Sequence, residues 1–184
     1  MMIQILHILL FLFISDSKII WKDDVKLTWE DFQAPAKVDD THDAQSWTGF
    51  QYNYAGEYDE NSIKLDVSVV TTFDKSKSWV KPEKKSEKLL QHEQLHFDIS
   101  EYIARQIRRE LIEYEFTRDF QAEIQQIQKN YEKLRADLQD QYDRETNHSM
   151  NEKEQDQWEK KIARKIKNLN DYRHTDFTIE AELK

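Results

Sequence analysis

Cysteine is absent from the 184-residue chain. Disulfides, thiol nucleophiles and thiolate ligands go with it, so any transition metal held here must rest on imidazole and carboxylate. Glycine and proline number 2 each, and 34% of the residues are charged. That profile speaks against a turn-dense β architecture and for long charged helices. Positive charge is outweighed, with 27 Lys and Arg against 36 Asp and Glu and a net charge of -9, which argues against nucleic acid as a partner. A membrane-length hydrophobic run is missing too. The apolar stretch Ile3 to Ile14 covers 12 residues, short of the ~20 that cross a bilayer. It reads instead as the core of a secretory leader, with Ser15-Asp16-Ser17 supplying small residues for cleavage, although no Lys or Arg precedes it. The expectation is a protein exported to the periplasm or secreted, with residues 1–17 as signal peptide and membrane contact through that segment alone.

What remains, 18–184, has the length of one domain. Residues 18–80 read as β-rich. Ile19-Ile20-Trp21 and Leu27-Thr28-Trp29 look extended, with Thr28 capping a brief turn through Phe32, and a polar loop with the surface residue His42 runs from Ala34 to Asp43. Gln45 to Tyr54 reads as a strand, Ala55-Gly56 and Asp59-Glu60-Asn61 as its connection, and Ile63 to Phe73 as the returning partner. In that partner Ile63, Leu65, Val67 and Val69 alternate with polar residues. The alternation fails over Val70 to Phe73, which suggests a bulge or the strand's end. Residues 82–170 read as helical. Pro82-Glu83 makes a suitable first turn for a helix to about Tyr114. Phe120, Ile124, Ile127, Tyr131, Leu134 and Leu138 form a heptad-like stripe for an antiparallel partner, preferred to an intermolecular coiled coil. Asn147 to Asn151 interrupts, a third helix carries Trp158, Ile162, Ile166 and Leu169 on one face, and Phe177-Thr178-Ile179 is a short strand or tail. The fold class expected is α+β, a small antiparallel β region packed on a long-helix hairpin.

One stretch has chemistry built in. His92-Glu93-Gln94-Leu95-His96 is a complete HExxH, for which chance predicts only about 0.02 occurrences in a chain of this composition. On a helix, His92 and His96 stand one turn apart on one face and can share a metal ion. Glu93, about 100° round, can serve as general base toward a metal-activated water. Leu89, His92, His96, Ile99, Ile103 and Ile107 form one stripe, so both imidazoles face the interior, where a metal would satisfy them. Zinc is the expected ion. Asp98 and Glu101 lie on other faces of the helix, Glu101 one turn before Arg105, which is its expected ion-pair partner. The third ligand is sought near the end of the second helix, which an antiparallel hairpin returns to the level of His92. His148 is favoured, with Asp143 and Glu145 open as alternatives. Tyr142 is read first as a core residue and second as a donor to a developing oxyanion.

Four blocks, Leu27-Thr28-Trp29-Glu30-Asp31-Phe32, Ser78-Trp79-Val80, His92-Glu93-Gln94-Leu95-His96-Phe97-Asp98 and Tyr142-Asp143-Arg144-Glu145-Thr146-Asn147-His148, together resemble the bacterial DUF922 family of predicted secreted zinc-dependent proteases. The chain departs from the family pattern at Leu95, where a small residue, often Gly, is expected, and at Ser149, where Gly commonly follows the late His. The resemblance implies a zincin-like metallopeptidase acting on protein or peptide substrates. A different class stays open beside it, a non-catalytic helical-hairpin interaction protein with a structural or vestigial metal. A hydrolase needs Glu93 and an open coordination position, whereas a structural site needs neither. Oligomeric state is not set by the sequence.

Overall fold

The computed structural model describes residues 4–6 and 17–184. The expected leader, residues 1–17, therefore lies outside the described residues apart from Gln4–Leu6 and Ser17. The architecture is α+β, antiparallel sheets of the N-terminal half covered by three helices. The strands are β1 (Gln4–Leu6), β2 (Lys18–Ile20), β3 (Ala44–Gln45), β4 (Thr48–Tyr58), β5 (Ser62–Asp74), β6 (Trp79–Val80) and β7 (Asp176–Glu182). The helices are α1 (Glu87–Glu113), α2 (Phe120–Thr146) and α3 (Glu152–Asn168).

The β4–β5 hairpin is the frame. Its register runs unbroken from Thr48 opposite Phe73 to Tyr58 opposite Ile63. β1 lies on the outer edge of β4, while β7 and β2 share the far edge of β5, at Ser62–Ser68 and Thr72–Asp74. Two expectations need correction. Ala55 and Gly56 belong to β4, and the turn falls at Asp59–Ser62, where the Asp59 carboxylate accepts from the backbone N–H groups of Asn61 and Ser62. Gly56 is needed in the strand because a Cβ there would stand 2.0 Å from the Lys64 carbonyl oxygen. Nor is there a bulge at Val70 to Phe73. The strand continues, and its alternation stops because residues from Val69 to Asp74 are buried whichever face they take.

Ile63, Leu65, Val67 and Val69 present the apolar face of β5 to Ile103, Ala104, Ile107 and Leu111 of α1 and to Phe120, Ile124 and Ile127 of α2. This is the main core. The heptad-like stripe is thus spent within the chain except at Leu134, which is exposed, and α2 is antiparallel to α1: Tyr131 meets Glu110 and Tyr142 meets His92. α1 opens with Ser86, whose hydroxyl accepts from the Leu89 N–H, after a separate 3-10 turn at Pro82–Lys84. Its deep face carries a buried ion cluster. The Glu101 carboxylate accepts from Arg105 Nε at 2.9 Å, from Arg108 Nη1 at 2.9 Å and from Thr71 Oγ1 at 2.7 Å. Arg108 also donates to the Val69 carbonyl of β5 and Arg105 to the Ile166 carbonyl of α3. Helix, sheet and third helix are therefore tied at one point, and removing both arginines would leave a buried carboxylate without a counter-charge. A second set of bonds fixes the N-terminal segment. Gln94 accepts from the Leu27 N–H and donates to Asp98, whose carboxylate also accepts from Trp21 Nε1 at 2.7 Å. Burial pushes the Asp98 carboxyl up, against the opposing pull of these two donors. No helix among the described residues is long and apolar enough to cross a membrane.

Candidate metal centre

His92 and His96 come from the middle of the second and third turns of α1, on the side facing α2 and α3. His92 is buried at 2% exposure. Three ligand atoms converge there. His92 Nε2 and His96 Nε2 are 3.2 Å apart, and Asp143 Oδ1 lies 3.0 Å from the first and 2.9 Å from the second. Four-coordinate zinc with ligands at ~2.0–2.1 Å would hold such atoms about 3.3 Å apart. The triangle therefore fits a zinc ion with little adjustment.

The hydrogen-bonding on the far side of each ring decides what the triangle offers. Gln139 donates its amide N–H to the His96 carbonyl at 2.9 Å and to Ser100 Oγ at 3.1 Å, so its Oε1 is the atom turned to His96 Nδ1, with which it makes a short contact. Gln155 Oε1 accepts from the Tyr142 hydroxyl at 2.8 Å and faces His92 Nδ1 at 3.1 Å. Both Nδ1 atoms thus meet an amide carbonyl and carry the proton. In the neutral rings the two Nε2 lone pairs then converge with a carboxylate oxygen. Three acceptors with no hydrogen between them call for a cation, either a metal or an added proton. Without a metal the proton is taken: although burial lowers His96, the hydrogen bond and charge of Asp143 outweigh it and raise the imidazole to about 9. Asp143 itself is drawn well below the usual carboxylate range by the two imidazoles, against the upward pull of burial.

Glu93 completes the floor. It is 3% exposed, it lines the same cleft, and its Oε2 has no hydrogen-bond partner among the described residues. A buried carboxylate oxygen left unpaired is costly, and it belongs where a water or substrate group would meet it. The cleft holds about 400 Å³ between the α1–α2 seam and the segment Thr41–Ser46.

The remaining residues singled out in the sequence fall into place around this point. Asp143 occupies the third position of the cluster. His148 stands beside it, Nδ1 3.9 Å from Asp143 Oδ1, with its side chain 51% exposed and its ring 4.9 Å from that of His42. His42, read as a loop residue, is at the cleft wall and holds Asp40 through Nδ1 at 2.7 Å. Glu145 turns away and accepts from Trp158 Nε1. Tyr142 is fully buried, stacked on His92 at 4.5 Å, with its hydroxyl committed to Gln155, and burial pushes the phenol up. Its core role and its place behind the ligand are the same role. Gln139 and Gln155 had no signal in the sequence alone. Only the spacing of four between Gln139 and Asp143, which puts both on one face of α2, hinted at the first.

The family described as "Bacterial protein of unknown function (DUF922)" matches residues 28–149. The chain belongs to the DUF922 family. The match begins at Thr28 and ends at Ser149, so it takes in the HExxH helix, the whole of α2 and Asp143, and leaves α3 with Gln155 outside. No functionally curated protein matches the chain. No solved structure does either.

Proposed function

We propose that the chain is an exported, zincin-like zinc metallopeptidase, with His92, His96 and Asp143 holding the metal and Glu93 acting as general base. The observation that carries this is the pairing of a three-atom ligand triangle with a buried, unpartnered carboxylate oxygen in one cleft. In this reading Asp143 takes the third place that the sequence favoured for His148. Three protein ligands leave a coordination position for substrate or water, as catalytic rather than structural zinc requires. Zinc bound there supplies a Lewis acid that acidifies a water and draws charge from a scissile carbonyl. Glu93 accepts the proton of the attacking water and returns it to the departing amine nitrogen, so one carboxylate serves as base and then acid. The glutamines keep both imidazoles in the tautomer that offers Nε2. The apolar run from Ile3 to Ile14 supports export.

The test begins with purified protein stripped by a chelator, reloaded with zinc, and assayed on unfolded protein substrates. Wild type should bind about one zinc per chain and cleave only when loaded. Glu93→Gln should retain zinc and fold yet lose roughly 10²–10⁴-fold in turnover. Equal cleavage by the variant would remove Glu93 from the mechanism. A loaded wild type that cleaves nothing would leave a structural metal in a helical-hairpin interaction protein.

A further inference from the structure

Along α2, Arg135, Gln139 and Asp143 recur at every fourth residue and all line the cleft. Among the described residues Arg135 is the only Lys or Arg in that lining, beside the carboxyl groups of Asp43, Glu93, Asp140 and Asp143. Its guanidinium lies over the ring of Phe50, 5.7 Å from the centroid, and its Nε donates to Glu132 Oε2 at 3.1 Å. Those two contacts restrain the group and use one of its edges. Nη1 and Nη2 bond nothing among the described residues, and the side chain is 22% exposed. What is presented is a pre-oriented pair of parallel N–H donors, the arrangement that matches a carboxylate with two bonds. Glu132 offsets part of the charge but is itself 41% exposed and screened by solvent.

We propose that Arg135 receives the C-terminal carboxylate of an extended peptide whose scissile bond lies at the metal centre, which makes free chain ends the substrate class. This rests on the metallopeptidase reading. Eight residues separate Arg135 from Asp143, about 12 Å along the helix. Extended chain advances ~3.3 Å per residue, so with the reach of the side chain the span accommodates about two to four residues. Cleavage then releases C-terminal fragments of that length, and internal bonds far from a chain end are poor substrates.

The experiment uses two pools of N-acetylated random hexapeptides that differ only at the C terminus, carboxylate in one and carboxamide in the other. Retention of each pool on immobilised, zinc-loaded Glu93→Gln protein reads recognition without turnover. The carboxylate pool should bind about 10- to 100-fold more tightly, the range of a charge-assisted pair. Adding Arg135→Gln should erase the difference, whereas Arg135→Lys, which keeps charge but not the fork, should restore only part of it. Mass spectrometry of wild-type digests should find released fragments of about two to four residues. Equal retention of both pools, retention of neither, or a preference that survives Arg135→Gln overturns the proposal. Zinc-dependent, Glu93-dependent cleavage that ignores the chain end would overturn it while leaving the metallopeptidase reading intact. A carboxylate preference in a protein that never cleaves would overturn the metallopeptidase reading and, with it, the claim that chain ends are substrates, leaving Arg135 as a carboxylate-binding residue alone.

Discussion

At the scale of single residues, His92, Glu93 and His96 could be read from the sequence because their spacing and one assumption, helix, suffice to put them together. Choosing between Asp143 and His148 needs something else: where α2 stops. The helix runs on through Thr146, so Asp143 still faces α1 from within it, one turn beyond Gln139, while His148 lies in the reversal that follows. This makes a clean pair of expectations. Asp143→Ala should lose most zinc affinity, and His148→Ala should keep about one zinc per chain by elemental analysis, since three ligands remain. The opposite pattern would return the third place to His148. Gln139 belongs to the same argument. Its carbonyl fixes the His96 tautomer, so Gln139→Ala should weaken zinc by about 10- to 100-fold, the usual scale for groups behind a ligand. Such residues escape a reading of sequence because their importance arises from the register of α2 and α3 against α1, which no local pattern encodes.

At the scale of elements, the hairpin, the three helices and the antiparallel pairing of α2 with α1 were legible from periodicity, and the boundaries moved for identifiable reasons. Pro82 starts a short 3-10 turn, and Ser86 supplies the cap of the helix proper. The reversal after α2 was legible only as an interruption. In the structure Asn147, His148 and Ser149 take φ of 47°, 49° and 74°, three successive left-handed residues, none of them glycine. Backbone bonds hold the turn: His148 N–H to the Asp143 carbonyl and Asn151 N–H to the Thr146 carbonyl. Glycine, which the resemblance leads one to expect at position 149, would suit this backbone. Left-handed backbone costs an L-residue roughly 1–2 kcal/mol, part of which glycine's greater unfolded-state freedom takes back. Ser149→Gly should therefore stabilise the metal-free protein by about 0.5–1 kcal/mol, a rise of a few degrees in Tm, and Ser149→Val should lower Tm. A Tm lowered by the glycine would mean that the buried Ser149 side chain matters more than its backbone.

For the molecule as a whole, the cluster is where α1, α2 and α3 meet: His92 and His96 from the first, Asp143 and Gln139 from the second, Gln155 from the third. An ion bound only in the folded state stabilises it by mass action, about 2.7 kcal/mol when free metal is a hundredfold above Kd. Protons compete for the same place. In the metal-free protein His96 is raised from 6.5 to about 9, so its contribution to stability is complete below about pH 6.5 and is lost as pH climbs through about 9. Asp143, lowered, contributes above its ordinary value of 3.8 and loses that on acidification. Chelator-treated protein should thus melt at a falling temperature between about pH 6.5 and 9. Zinc must displace the His96 proton, and that displacement becomes easier over the same interval. The increment in Tm on adding zinc should consequently grow with pH just where the metal-free protein weakens. In His92→Ala with His96→Ala both trends should vanish together, because the competing proton and the metal share one seat. A zinc increment that is flat with pH, or one that persists in the double variant, would place the ion elsewhere on the chain.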